Sequence, residues 1–158
     1  MIPTPPVSGF GGYALAALVT LAVTALVVLM HYRGLEGLAR RYSGRRHPRH
    51  RSAMLVIIFA LLGLHVLEIA CYGVAYWGLD QLPGIGLARG AVDISLFDGV
   101  YLSAMAYSTV SFGDISPDGA LRVMAGMEAI AGLMLIAWSA SFTYLEMARL
   151  WQDRGGPE

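Results

Sequence analysis

Apolar residues fall into three long stretches along this chain of 158 residues, and polar or glycine-rich segments separate them. The stretches cover residues 12–30, 53–77 and 123–145, and the first contains no charged side chain. The acidic and histidine residues inside the other two are His65, Glu68 and Glu128. Since about 20 apolar residues in an α-helix cross the hydrocarbon core of a bilayer, each stretch predicts a transmembrane helix.

A fourth apolar segment, residues 96–108, lies between the second and third stretches and is too short to cross a membrane. Ser95 and Asp98 have the spacing of a capping box, with Asp where Glu is usual, so a helix is predicted to begin here. The polar run 109–114 and the turn-forming residues 115–119 follow. The predicted fold class is an all-α membrane protein with three transmembrane helices and a re-entrant helix and loop between the second and third.

Composition agrees with a membrane protein. The chain is 56% hydrophobic and 14% charged, against about 45–50% and about 25% in ordinary globular proteins, which excludes a disordered chain. The formal net charge of zero gives no reason to expect nucleic-acid binding, which relies on excess positive charge. Cys71 is the single cysteine, so the chain forms no internal disulfide.

The zero net charge is the sum of two segments of opposite sign. Residues 31–51 contain seven Arg and one acid, for a charge of +6, whereas residues 79–122 contain two Arg and five Asp, for a charge of −3. A short basic loop between two spans predicts a cytoplasmic location, with the N-terminus outside and the C-terminus in the cytoplasm. A cleaved signal peptide is less favoured for the first stretch, since no basic residue precedes it and no small-residue cleavage site follows it.

The basic segment between Arg33 and Arg51 has two interpretations. It is a candidate site for anionic lipid head groups. The alternative is a solvated loop that only sets the orientation of the chain, and this second interpretation is favoured about two to one. The seven-residue tail, 152–158, is predicted to lie on the same side of the membrane.

The short helix, the motif TVSFGD and the long apolar stretch after them together resemble the pore module of the potassium-channel superfamily, in particular the small bacterial channels with two transmembrane helices and a pore loop. The likeness includes HxxE at 65–68 and MEAIAGLMLIAWSASF at 127–142. It implies a pore module over 53–151, with outer helix 53–78, pore helix 96–108, filter 109–114 and inner helix 121–150. The N-terminal transmembrane helix, 1–31, the Arg-rich loop, 32–52, and the tail lie outside it.

The resemblance implies a function and a set of site residues. Backbone carbonyls of a filter would replace the water around a permeant monovalent cation, with K⁺ the expected ion. One chain carries one loop, so the family's pore implies a homotetramer. The resemblance also implies location in the cell membrane, here a bacterial inner membrane. It implies no other cofactor and no catalytic residue. The filter residues are Thr109, Val110, Ser111, Phe112 and Gly113. Asp114 lies at the outer mouth, Ser108 and Glu128 support the filter, and Gly132 is a candidate hinge.

The filter departs from the family pattern Thr-Val-Gly-Tyr-Gly at two positions. Phe112 keeps the ring of Tyr and lacks its hydroxyl, while Ser111 replaces a Gly. A filter backbone alternates between right- and left-handed conformations, and the left-handed one costs a side-chain-bearing residue about 1–2 kcal/mol. Cation conduction is therefore the expected function, and a non-selective channel or a non-conducting subunit with the pore fold remains an alternative. An intramembrane hydrolase of the GxGD type is disfavoured, because Ser111 replaces the first Gly of that signature.

Other polar residues in the spans have open interpretations. Glu128 is expected to pair with a pore-helix hydroxyl or with Arg122. His65 and Glu68 lie three residues apart on one helical face and are predicted to form a buried hydrogen-bonded pair, since a metal site needs more ligands than two. No metal site and no haem site is predicted, because His31 falls at the end of its span and His65 in the middle of another.

Three further expectations concern the inner helix and gating. Gly126 is a rival for the hinge position, and tight helix packing explains either glycine equally well. Trp138, Ser139 and Ser141 are candidates to line an inner cavity. No span carries Arg at every third position, so no voltage-sensing helix is expected.

Overall fold

The computed structural model describes residues 9–42, 50–82, 85 and 94–152. This part of the chain contains four helices and no β-strand. The helices are α1 (Phe10–Tyr42), α2 (His50–Asp80), α3 (Leu96–Ser108) and α4 (Leu121–Gln152). The three long helices are long and apolar enough to cross a membrane, and short α3 lies between the last two, which confirms the predicted fold class.

Helix α3 begins with the predicted capping box. The Ser95 hydroxyl accepts a hydrogen bond from the Asp98 backbone N–H at 3.2 Å, and the Asp98 carboxylate accepts one from the Ser95 backbone N–H at 2.8 Å. These bonds satisfy two backbone groups that a helix N-terminus otherwise leaves without partners. The bounds of α3 coincide with the predicted 96–108.

Helices α2 and α3 pack with their backbones in contact. A Cβ added to Gly99 of α3 would lie 2.5 Å from the Gly73 carbonyl oxygen of α2, and one added to Gly73 would lie 2.7 Å from the Cα of Val100. Small residues allow this close approach, which is common between membrane helices. The contact fixes α3 against α2, while its other side packs against α4.

Helix α1 packs against α2 and α4 through a narrow stripe. Its buried residues recur at intervals of four or seven along the helix: Ala16, Thr20, Val27, His31 and Leu35. The Thr24 and Tyr72 hydroxyls share a hydrogen bond of 2.8 Å between α1 and α2. Large apolar side chains elsewhere on α1, such as Leu18 and Leu29, are exposed, as expected for a surface that faces lipid.

The boundary predicted between the first helix, 1–31, and the Arg-rich loop, 32–52, differs from the structure. Helix α1 continues to Tyr42 and α2 begins at His50. Arg side chains do not break a helix, and Arg40 pairs with Glu36 one turn earlier at 2.7 Å. Leu35 packs in a small cluster with Ile57 and Leu61 of α2. Residues 43–49 of the predicted loop, and residues 153–158 of the predicted tail, lie outside the described residues.

Candidate functional site

The three residues directly after α3, 109–111, have alternating backbone conformations. Thr109 caps the helix in the left-handed region with φ of 57°, Ser111 also has a positive φ of 101°, and Val110 between them does not. Apart from these two, no described non-glycine residue has a positive φ. Because such a conformation costs about 1–3 kcal/mol for a residue with a side chain, it persists only where the surroundings impose it, and such residues cluster at functional sites.

The same segment is open along its length in the single chain. Every residue from Ser108 to Asp114 is exposed, although Val110 and Phe112 are large and apolar. An open cleft beside it is lined by residues of the segment, of the following turn and of α4: Phe112, Ser116, Pro117, Asp118, Arg122, Ala125, Gly126 and Ala129. Large apolar side chains exposed together in this way indicate a surface at which something else binds or packs.

Glu128 of α4 lies behind α3 and pairs with a hydroxyl of that helix. The Ser103 hydroxyl donates to Glu128 Oε1 at 2.5 Å, and both side chains are fully buried. Glu128 Oε2 and the buried Tyr76 hydroxyl make no hydrogen bond of standard geometry within the described part of the chain, although the two side chains are close enough to interact with each other. Of the two pairings expected for Glu128, the structure therefore contains the one with α3, while Arg122 is exposed beside the cleft.

Ser103 is a site residue that the sequence prediction missed, since Ser108 was chosen instead. The Ser108 hydroxyl is exposed and donates to the Ala104 carbonyl of its own helix at 2.6 Å. The buried face of α3 consists of Gly99, Leu102, Ser103, Ala106 and Tyr107, which repeat with helical spacing. That spacing places Ser103 on the packed face, and it was readable from the sequence.

Gly132 lies at the crossing of α4 and the end of α3. A Cβ at this position would overlap the backbone carbonyl oxygen of Tyr107 and approach its ring to 3.0 Å. Gly126, the rival position, has nothing within 4 Å in the chain. The structure thus gives Gly132 a packing role, and its predicted role as a hinge stays a prediction.

A buried cluster of polar side chains joins all four helices. Glu68 Oε1 contacts His31 Nδ1 of α1 at 2.8 Å, and Oε2 contacts His65 Nδ1 at 3.0 Å. The Tyr107 hydroxyl donates to Glu68 Oε2 at 2.5 Å and lies 2.8 Å from His65 Nδ1. Ser139 Oγ of α4 contacts the Nε2 atoms of His65 and His31 at 3.1 and 3.4 Å.

The predicted pairing of His65 with Glu68 is present, but the expected separation of His31 from His65 is wrong. Their ring centroids lie 5.4 Å apart. In the antiparallel register of α1 and α2, Gly34 lies beside the Leu64 side chain and His31 lies at the level of Glu68. Ser139 is buried in this cluster, whereas Trp138 and Ser141 are exposed.

Acidic side chains flank the other end of α3 and the segment after it. Hydrogen bonds from the Ser95 side chain and backbone lower the pKa of the Asp98 carboxyl, so it is ionised at neutral pH beside the positive end of the α3 dipole. Asp114 is exposed directly after Gly113. The negative end of the α3 dipole falls at Thr109, where the left-handed segment starts.

Comparison with known proteins identifies a family for the region that contains this site. A family model described as "Ion channel" matches residues 64–145, just over half of the chain. The match includes the second half of α2, all of α3, the segment 109–114 and most of α4. Neither the search of curated proteins nor that of solved structures gave a match.

Proposed function

Because this chain belongs to a family of ion channels with a two-helix, potassium-channel-like pore domain, we propose that it forms a homotetrameric cation channel. Its ion path is lined by backbone oxygens of residues 109–113, with the Thr109 hydroxyl at the inner end. The observation that carries this proposal is the backbone of Thr109, Val110 and Ser111. Alternation between positive and negative φ is the conformation in which successive carbonyls point the same way, as a row of ligands for a dehydrated cation requires.

Charges around the segment support a cation as the permeant ion. The C-terminal end of α3, which carries a partial negative charge, meets the segment at Thr109 and stabilises a cation there by a modest amount. Asp114 adds a full negative charge at the other end and raises the local cation concentration. These features supply no attraction for an anion.

Exposure of the segment supports assembly. One chain supplies one row of oxygens, and a cation that loses its water needs oxygens on every side, so several copies must surround a common axis. The open cleft lined by Phe112 and Arg122, and the exposed apolar side chains of α4, such as Met134, offer surfaces that neighbouring copies would cover. Four copies is the number that the family resemblance implies.

Orientation follows from the charge difference between the two sides of the membrane. The +6 segment, 31–51, is assigned to the cytoplasm, and the −3 segment, 79–122, is assigned to the outer side of the cell membrane. This assignment places Asp114 at the outer mouth. We propose that arginines of the segment between Arg33 and Arg51 contact anionic lipid head groups of the inner leaflet.

Ser111 supports a second candidate function, a cation channel that does not discriminate between K⁺ and Na⁺. Its φ of 101° is one that glycine adopts without cost, so the serine holds its carbonyl in place at the expense of backbone strain. Relaxation of that strain would widen or remove one ring of oxygens in the tetramer. The resulting pore would pass Na⁺ as well as K⁺, and complete collapse would leave a non-conducting subunit. An enzymatic role is disfavoured by the family assignment.

Ion flux into liposomes tests the proposal. Purified protein is reconstituted, and uptake of K⁺, Na⁺ and the large organic cation N-methyl-D-glucamine is compared with that of protein-free liposomes. We expect flux of K⁺, or of K⁺ and Na⁺, and none of the organic cation. Chemical cross-linking of the same sample is expected to give a limiting species of four chains. Intact tetramers with no flux of any cation would contradict a channel.

A further inference from the structure

We propose that His31, His65 and Glu68 form a binding site for one transition-metal dication of the Zn²⁺ class, with the Tyr107 hydroxyl hydrogen-bonded to the Glu68 carboxylate. Two imidazole nitrogens and a carboxylate are a donor set that Zn²⁺ and related ions prefer. The sequence argument against a metal was that His65 and Glu68 supply only two ligands. The structure adds His31 from α1 as a third, and the three side chains offer donor atoms that all lie within 4.8 Å of one another.

The two histidine side chains lie on either side of the Glu68 carboxylate. His31 Nδ1 and His65 Nδ1 reach opposite oxygens of the Glu68 carboxylate at 2.8 and 3.0 Å. The Tyr107 hydroxyl joins them from α3, 2.8 Å from His65 Nδ1. In a tetrahedral zinc site with bonds of about 2.0–2.1 Å, neighbouring ligand atoms are about 3.3 Å apart. The donor atoms of His31, His65 and Glu68 lie within 4.8 Å of one another, so these side chains would draw together around the ion, while the Tyr107 hydroxyl stays hydrogen-bonded to the Glu68 carboxylate.

Ser139 of α4 is placed to support two ligating histidines. Its Oγ lies 3.1 Å from His65 Nε2 and 3.4 Å from His31 Nε2. If a metal occupied both Nδ1 lone pairs, both Nε2 atoms would carry protons, and Ser139 Oγ would be their acceptor. A ligating histidine whose second nitrogen donates to an outer polar group is the usual arrangement around a bound metal.

Burial also fits a bound ion. The His31 and Glu68 side chains are 0% exposed and that of His65 is 17% exposed. An ionisable group at membrane depth is costly, and such groups pair with one another or mark an ion site. A dication bound here would cross-link α1, α2 and the end of α3 two residues before Thr109. It would therefore tie the N-terminal helix, which lies outside the matched family region, to the channel module.

Metal binding to the full chain tests this inference, independently of ion conduction. The protein is purified without a histidine tag, with His47→Gln and His50→Gln so that His31 and His65 are the remaining histidines, and is stripped with chelator. We expect titration with Zn²⁺ to give one ion per chain. Co²⁺ is expected to give the intense visible absorption of a tetrahedral site and to be displaced by Zn²⁺.

Two variants separate a metal site from a structural network. His31→Gln and Glu68→Gln keep hydrogen-bonding groups and are expected to weaken Zn²⁺ binding at least 10-fold. Glu128→Gln is the matched control, because Glu128 is the other fully buried carboxylate among the described residues of the spans. We expect this variant to bind Zn²⁺ as the parent protein does. Unchanged binding in folded His31→Gln, or absence of binding in the parent protein at micromolar Zn²⁺, would overturn the proposal.

X-ray absorption of the zinc-loaded parent protein gives a result even if the variants fail to fold. We expect a first shell of nitrogen and oxygen at about 2.0–2.2 Å with imidazole scattering. Sulfur at about 2.3 Å would instead assign the ion to Cys71, the partly buried cysteine three residues after Glu68, and would refute the site. A shell of oxygen without imidazole would refute it as well.

Discussion

The backbone carbonyl oxygen of Tyr107 lies directly against Gly132, at the crossing where α3 ends and α4 passes behind it. Tyr107 is the second residue before Thr109, so this contact positions the start of the candidate filter relative to α4. On the other side of the same residue, the Tyr107 hydroxyl donates to Glu68 of α2. The end of α3 is thus held between the inner helix and the outer helix by one residue.

Substitution of Gly132 by Ala is expected to destabilise the protein. The new Cβ would overlap the Tyr107 carbonyl, and overpacking of this kind costs about 1–3 kcal/mol. Alanine recovers only about 1 kcal/mol of helix propensity. We expect a thermal midpoint several degrees below that of the parent protein, measured by tryptophan fluorescence in detergent.

Gly63→Ala is the matched control for that substitution. Gly63 lies in the interior of α2, is exposed, and has nothing within 4 Å of an added Cβ. The control is expected to keep or raise the thermal midpoint. Equal midpoints for the two variants would show that Gly132 is not required for packing, and would leave the hinge role as its explanation.

Ser103→Ala is expected to destabilise the protein through Glu128. The serine hydroxyl is the donor to the buried Oε1, and an unsatisfied buried acceptor costs about 1–3 kcal/mol. Ser108→Ala on the same helix removes a hydroxyl that bonds only to its own helix, so its effect is expected to stay within about 0.5 kcal/mol. Thermal midpoints of both variants in one detergent check the difference, and a larger loss for Ser108→Ala would contradict it.

The sequence predicted the helices well because their signals are local. Hydropathy over about 20 residues gives a span, and the spacing of Ser95 and Asp98 gives the start of α3. The end of α1 was missed because its arginines were interpreted as a loop. A charged segment continues a helix when its apolar residues still find a partner, as Leu35 does on α2.

Contacts between helices were harder to predict than the helices themselves. Whether His31 meets Glu68 depends on the register of α1 against α2, and no periodicity within either helix encodes that register. In the observed register Gly34 lies beside Leu64, and the Thr24 and Tyr72 hydroxyls share a hydrogen bond. The Ser103 contact was easier to predict from the sequence, because Ser103 shares the buried helical face with Gly99 and Tyr107.

Acid is expected to weaken the N-terminal cap of α3. Bonds from Ser95 hold the pKa of Asp98 below its ordinary value of about 3.9, so the cap contributes stability at and above that pH. This contribution is lost as the pH falls through the lowered pKa, because protonation removes the favoured carboxylate. Asp98→Asn should therefore lower the thermal midpoint at pH 7, with the difference from the parent protein shrinking below about pH 4.

Asp114→Asn is the control for the loss of one negative charge. Asp114 is exposed and caps no helix, so its substitution is expected to change the thermal midpoint at pH 7 less than Asp98→Asn does. If both variants lowered the midpoint equally, a general charge effect would explain the loss. The proposed stabilisation by the Asp98 cap would then be contradicted.

Ser111→Gly is expected to sharpen discrimination between K⁺ and Na⁺. Glycine adopts the φ of 101° freely, so the substitution removes about 1–2 kcal/mol of strain from each chain without changing the direction of the carbonyl. A better-held ring of oxygens should raise the K⁺ to Na⁺ permeability ratio, measured from reversal potentials across planar bilayers. Ser116→Gly, in the turn after the filter and without a positive φ, should leave the ratio unchanged. If Ser111→Gly also leaves it unchanged, backbone strain at residue 111 does not limit selectivity.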